Sequence, residues 1–442
     1  MPRDAFAAEP PIGNWEERPV SPSPLVLEFP VMAEEAFTGL AGDIVRMVEP
    51  HTESDRAGLL LSAHACFGNC IGRGPHYRVE STEHGTNLFV VKVGDSSKAR
   101  KGTGEDRIIS FFRHADGDWV NQRVHSGLSS GEGVIHAVRD PVTGYEKQGK
   151  GAVRVEVEID PGIADKRLMV IESEFAGALR VMQREGNILS RIARDAWDRG
   201  NLATLTKNSP GRATGSCVSI VGHITANELR TYFDKTEMSN GFGNRFLFAC
   251  VRRSKFLPFG GSLQDGDVIG MAHEIRRAVE AARRVRQVVM APAAADLWGA
   301  IYPELSGDRP GLLGSLTARA EAQVVRLAML YALWTASDRI EVDHLMAAVA
   351  IEDFCRKSVE YIFGDMLGDP VADTILDALR TAGSAGLTRT EISNLFSRNA
   401  AANQIARALG ELARRGLAGQ RKREGTSGRP AEIWIATEGG RQ

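Results

Sequence analysis

Asn87-Leu-Phe-Val-Val-Lys-Val-Gly94-Asp-Ser-Ser-Lys98-Ala-Arg-Lys101-Gly-Thr103 is the stretch on which the reading of this 442-residue chain turns. Its first seven residues form a short, β-branched, largely apolar run that stops at Gly94, the pattern of a buried strand. Residues 107–112 beyond it read as helix. A Gly/Ser/Lys-rich turn from strand to helix is the context of a phosphate-binding loop. There backbone N–H groups cradle phosphate oxygens, a Lys reaches the outer phosphates and a Ser/Thr hydroxyl meets Mg²⁺. The usual spacing is Gly, four residues, Gly, Lys, Ser/Thr. Here Ala99 stands at the second Gly and Arg100 at the Lys, with Lys101, Gly102 and Thr103 one place late. On the loop alone, a bland basic turn is the equal alternative.

Further strands are expected at 153–159, 167–171, 217–221 and 245–251, and a long amphipathic helix at 175–197. Strands alternating with helices predict a three-layer α/β domain with a largely parallel sheet. Several strand ends are polar. Leu168-Met-Val-Ile-Glu172-Ser-Glu174 ends in acids, one placed to hold Mg²⁺ through water and the other to polarise an attacking water. A surface pair at a strand end is the alternative. Ser219-Ile-Val-Gly-His223-Ile-Thr225 offers His223 as a residue sensing the γ-phosphate, or as a satisfied histidine. Thr225 and Glu228 form a capping box for the next helix. Asn240-Gly-Phe-Gly-Asn-Arg245 presents one Arg just before a strand. With Lys98, Arg100 and Lys101 already in the loop, Arg245 is expected to reach a neighbouring subunit's γ-phosphate in a ring, most simply a hexamer. Pairing with a local acid, Asp234 or Glu237, is the other possibility.

The rest of the chain sets the boundaries. Residues 1–30 hold seven prolines and read as a mobile arm, 31–85 as a helical segment, 86–264 as the sheet domain, 265–365 as an all-helical lid and 370–442 as a separate module. No run reaches the ~18 apolar residues that a membrane span needs. The amino terminus lacks the apolar core of a secretion signal, and five cysteines make no disulfide framework, so a cytoplasmic, reduced protein is expected. Cys66 and Cys70 at i, i+4 are half a metal site or packed thiols. The net charge of −2 conceals a basic carboxyl end: 11 Arg/Lys against 7 Asp/Glu after residue 369. That imbalance points to a polyanionic partner or to an ordinary solvated surface.

That module reads as three helices, 371–381, 389–396 and 400–415, the second capped by Thr388 with Glu391. Two strands follow, 417–422 and 431–436, around a basic Gly-rich tip. The order resembles a winged helix-turn-helix, whose third helix enters a major groove while the wing touches the backbone. Arg398, Asn399, Asn403, Gln404 and Arg407 fall on or beside the exposed face of that helix, and Arg421, Lys422, Arg423 and Arg429 on the wing. Docking on a protein is the alternative.

Taken with Pro50-His-Thr-Glu-Ser-Asp55, Ser126-Gly-Leu-Ser-Ser-Gly-Glu-Gly133, Val170-Ile-Glu-Ser-Glu-Phe-Ala176, Lys207-Asn-Ser-Pro210 and Asn240-Gly-Phe-Gly-Asn-Arg-Phe-Leu247, the chain resembles a P-loop family of primase–helicase-type ATPases with a RepA-like core, common on plasmids, phages and integrated elements. The resemblance covers roughly residues 35–365. It implies a RecA/AAA+-like P-loop NTPase core binding ATP and Mg²⁺, with Gly94, Lys98, Lys101 and Thr103 in the phosphate loop beside Ser97, Arg100 and Gly102. Thr103 and Glu172 would hold the metal, Glu174 would serve the water, and His223 would act as a sensor. Glu132 would lie near the second core strand as a catalytic acid. The expected work is ATP-driven handling of DNA, as helicase, loader or translocase, alongside a primase or other replication partner. A DNA-binding regulator whose loop only binds nucleotide is the alternative.

Overall fold

The computed structural model describes residues 28–95, 99–148, 153–206, 211–233, 237–238, 240–307, 309, 311–364, 370–396, 401–414, 416–422 and 432–437. Ser97, Lys98, Arg398, Asn399, Arg423 and Arg429 lie outside them, as do Asp234, residues 207–210 and the Pro-rich residues 1–27.

Apolar runs form the central sheet. Its strands are β1 (Phe89–Val93), β2 (Val124–His125), β3 (Arg167–Glu172), β4 (Cys217–Ile224) and β5 (Phe246–Cys250). All pair in parallel, in the order β5-β1-β4-β3-β2. Parallel strands are covered on both faces, which is why these runs are nearly continuous in apolar residues rather than alternating. Phe89, Val91 and Val93 enter one core and Val90 the other.

On the Val90 face lie α1 (Arg56–Ile71) and α2 (Lys101–Ala115), and behind them α7 (Asp265–Ala282) and α8 (Ala320–Trp334). On the Phe89 face lie α3 (Gly131–Ala137), α4 (Phe175–Met182), α5 (Leu189–Asp198) and α6 (Ala226–Tyr232). The long helix α9 (Val342–Phe363) runs past the edge strand β5 and contributes to both cores.

Four expectations are corrected. Residues 31–85 are no separate segment, because α1 is buried from Ala57 to Ile71 beneath the sheet. The region expected as a lid is a layer of the body, since α7, α8 and α9 share the sheet's own cores. The helix expected over 175–197 is two, broken near Gly186, whose φ of 79° is left-handed. Val142–Gln148 and Val153–Asp160 pair antiparallel in a two-stranded sheet of their own, so the strand expected over 153–159 is not part of the central sheet.

The carboxyl module has its own core of Ile375, Leu376, Leu379, Ile392, Ile405, Leu409, Leu412 and Trp434. Its helices α10 (Pro370–Ala382), α11 (Arg389–Leu395) and α12 (Ala402–Arg414) pack with β6 (Leu387–Thr388), β7 (Ala418–Lys422) and β8 (Glu432–Ala436), an antiparallel sheet in the order β6-β8-β7. The Thr388/Glu391 capping box forms. Asn403, Gln404 and Arg407 are exposed on α12, opposite its buried Ile405, Ala408 and Leu412. Arg421 is exposed on β7, and Lys422 ends that strand.

Among the described residues, no helix is long and apolar enough to cross a membrane and no cluster of His, Cys, Asp and Glu could hold a metal. Cys66 and Cys70 are buried free thiols. Burial, with Asp116 beside it, pushes Cys70 up to about 12.

Buried histidines give the body an acid sensitivity. His64 packs edge-on against Tyr331, its Nδ1 accepts from Trp334 Nε1 at 3.3 Å, and burial lowers its pKa to about 3. The unfolded chain, with an ordinary pKa near 6.5, therefore binds one proton more than the folded chain between those values, so stability falls as pH drops through that window. His64→Phe keeps the ring shape and removes the titration. The slope of unfolding free energy against pH between 6 and 4 should flatten by about 1.4 kcal/mol per pH unit relative to the parent. Urea titrations at stepped pH measure it, and parallel slopes for the two proteins would refute the assignment.

Candidate functional site

In a parallel sheet every strand ends at the same edge. Here that edge carries Gly94 after β1, His125 at the end of β2, Glu172 at the end of β3 and Thr225 after β4. The chain leaves β1 for β2 at the far side of the sheet, whereas from β4 it returns past β1 to β5. The strand order thus reverses at β1, and a crevice opens at such a switch point.

Both described ends of the loop after β1 are closely packed. The Gly94 N–H donates to Ile224 O at 3.1 Å. A Cβ on Gly94 would lie 2.5 Å from Val251 O and 2.8 Å from Ala99 Cβ, so only glycine fits there. Ala99 is buried. Arg100 stands in the left-handed region at φ 52°, a conformation that costs a non-glycine residue energy and clusters at functional sites. It occupies the position before α2 and gives that helix no side-chain cap of its own. Lys101 Nζ donates to Gly94 O at 2.8 Å, closing the loop across its own mouth. Burial pulls the Lys101 pKa down, opposed by Glu228 and Asp95. The Arg100 guanidinium turns outward to Glu53 at 2.7 Å, while its carbonyl accepts from Ser54 Oγ at 3.0 Å. Gly102 and Thr103 are exposed, with open space around the Gly102 Cα.

Glu172 is half-buried and its Oε1 accepts from the Leu128 N–H at 2.5 Å. Glu174, just before α4, and Glu132, in the first turn of α3, are exposed. β4 lies between β1 and β3, so the strand that ends at Gly94 and the Glu172 strand are about 10 Å apart. The Thr225/Glu228 capping box forms at the start of α6.

Two candidate residues are placed elsewhere. His223 is 3% exposed and lies on the α1/α2 face of the sheet, where its Nε2 sits 3.6 Å from Glu105 Oε2. Burial lowers its pKa, with the nearby Glu105 carboxylate opposing. It sits beneath the loop rather than at the open edge, so the expectation of direct γ-phosphate sensing is corrected. Arg245 precedes β5 and so lies at the amino edge, opposite the loop. It is 5% exposed, pairs with Asp198 at 2.6 Å, bonds Gly241 O and lies over the Trp197 ring. A trans role for Arg245 is therefore corrected to a structural one, with Asp198 as the acid, and the ring assembly argued from it loses its residue.

Sequence reasoning missed a buried polar cluster below the loop. Lys92 is 2% exposed on β1. Its Nζ meets Glu105 Oε2 of α2 at 2.7 Å and the Ser62 hydroxyl of α1. Ser62 Oγ lies 2.8 Å from the same carboxylate oxygen, and His223 stands opposite Lys92 in the strand register. Burial pushes the Glu105 carboxyl up, but the Lys92 ammonium and the His223 contact outweigh it and hold it down at about 2. The available signal was a lysine inside an otherwise apolar strand two residues before Gly94.

No family model matches the chain, and no curated protein matches it.

Proposed function

We propose that the body binds and hydrolyses a nucleoside triphosphate at the carboxyl edge of its sheet, and that the chain couples this to DNA gripped by its carboxyl module. The reading rests on one observation: a strand-to-helix turn that starts at Gly94, passes a left-handed Arg100 and opens α2 with Lys101 stands at the edge where the strand order of a parallel sheet reverses. The backbone N–H groups of a helix start and an adjacent ammonium are a donor set for phosphate oxygens. The structure is compatible with the group in a second respect, since the Gly102 side of the helix start is open.

In this reading Gly94, Arg100, Lys101 and Gly102 hold ATP, together with Ser97 and Lys98 of the same loop. Thr103 and Glu172 hold Mg²⁺, whose charge would neutralise that developing on the phosphates. Glu172 or Glu174 orients the attacking water, with Glu132 the next acid along the same edge. The carboxyl module is read as a winged helix. Its α12 presents Asn403 and Arg407, with Arg398 before them, to a groove, while Arg421, Lys422, Arg423 and Arg429 meet phosphates. The work is that of a helicase, loader or translocase in replication of a mobile element.

A second reading, a DNA-binding regulator that holds nucleotide without turnover, draws on Arg100 standing in a left-handed position that glycine would fill without strain. Steady-state release of inorganic phosphate separates the two. The motor reading expects Mg-ATP turnover that rises severalfold when single-stranded DNA is added. Nucleotide binding with no turnover, with or without DNA, would leave the regulator.

A further inference from the structure

Two large apolar side chains project into solvent beside the candidate nucleotide site. Phe256 is 77% and Phe259 101% exposed, in the segment that follows β5. Neither contributes to a core, and an exposed apolar pair on one short segment calls for an explanation that an isolated surface residue does not. Residues 252–263, Arg-Arg-Ser-Lys-Phe-Leu-Pro-Phe-Gly-Gly-Ser-Leu, hold three cations and no acid.

The segment is fixed to its base. Ser254 N–H donates to Glu53 O at 3.0 Å, Leu257 N–H to Glu53 Oε1 at 2.8 Å and Lys255 Nζ to Glu49 O at 2.9 Å. Gly260 N–H closes a turn onto Leu257 O at 2.9 Å, and Gly261 packs so close to His51 O that a Cβ would lie 2.0 Å from it. The aromatic rings are therefore displayed from a rigid platform, which limits the entropy lost when they are covered. The Arg253 guanidinium lies over Phe256, 5.0 Å from the ring centre, with its Nε 3.7 Å from Glu53 Oε2, and the exposed Arg252 lies over the Phe29 ring at 4.4 Å. Glu53 joins the platform to the phosphate loop, because its other oxygen takes Arg100 at 2.7 Å.

We propose that residues 252–259 are a contact for single-stranded nucleic acid, with bases stacked on Phe256 and Phe259 and phosphates met by Arg252 and Arg253. Exposed aromatics interleaved with cations are the physical requirement for binding a single strand without reading its sequence, since every base has a face to stack. The absence of acid in the segment favours a polyanion over a protein partner. Duplex DNA has no unstacked bases to offer these rings, so the contact is selective for single strands. The inference deepens the DNA-handling reading and rests on it for its partner.

The test uses the full chain and fluorescein-labelled oligothymidine of about 20 nucleotides, with a duplex of equal length as control, by anisotropy at about 150 mM salt. Phe256→Ala with Phe259→Ala should raise the Kd for the single strand at least tenfold and leave the duplex Kd within twofold. Phe256→Tyr with Phe259→Tyr should retain the parent affinity, because stacking survives. Mg-ATP titration of the Ala variant should match the parent, so a failure of this contact is distinguishable from a failure of the nucleotide site. No binding of the single strand by the parent, an unchanged Kd in the Ala variant or an equal loss on single strand and duplex would each overturn the proposal. An unchanged Kd would return the two rings to a protein contact.

Discussion

Glu105→Ala should destabilise the body by about 3–5 kcal/mol, the loss seen when one partner of a buried ion pair is removed and the other is left without compensation. The reason is local. Lys92 is 2% exposed, and Glu105 is the only carboxylate placed on it among the described ion pairs. Without Glu105, the ammonium either keeps its charge against Ser62 alone or loses its proton. Removing both charges should cost far less. Lys92→Met with Glu105→Leu fills similar volume with apolar groups, and Ser62 Oγ still donates to Gly58 O at 2.9 Å. The position of the pair gives it a second consequence. Lys92 lies just before the proposed phosphate loop and Glu105 just after it, so one ion pair fastens both stems, and His223 adds β4 to the same knot. The double variant should therefore fold yet bind nucleotide more weakly than the parent. Because the carboxyl module has a separate core, its own unfolding step should be unmoved in all variants. A single variant within about 1 kcal/mol of the parent, or a double variant less stable than Glu105→Ala, would contradict this account.

Much of the sheet was legible because its strands are buried on both faces. The runs at 87–93, 167–171 and 217–221 are short, β-branched and bounded by polar or Gly-containing turns, and each marks a strand of the central sheet. β2 escaped because two residues, Val124 and His125, carry no periodicity. The placement of α1 against the sheet also escaped, although its nearly uniform apolar sequence around Leu59-Leu-Leu61 is that of a helix enclosed on all sides rather than one on a surface.

The two misplaced site residues have geometric explanations. Along β4, Ser219, Val221 and His223 share one face by strand parity, and Val221 belongs to the α1/α2 core, so His223 had to point beneath α2 rather than out of the edge. Arg245 precedes its strand whereas Gly94 follows one. In a parallel sheet those positions lie at opposite edges, which no motif spacing records. The partner of Lys92 was invisible for another reason: Glu105 reads as one more acid on an amphipathic helix until the helix is docked.

The central claim is that residues 94–103 receive a nucleoside triphosphate, and calorimetric titration of the full chain with Mg-ATP tests it most directly. Lys101 already aims its ammonium across the loop at Gly94 O, the place where phosphate oxygens would replace the carbonyl. Removing a charge-assisted contact of that kind costs about 2–5 kcal/mol. The account predicts saturable binding by the parent and, for Lys101→Ala, at least a thirtyfold loss of affinity with an unchanged melting profile. No heat of binding by the parent, or equal affinity in Lys101→Ala, would contradict it.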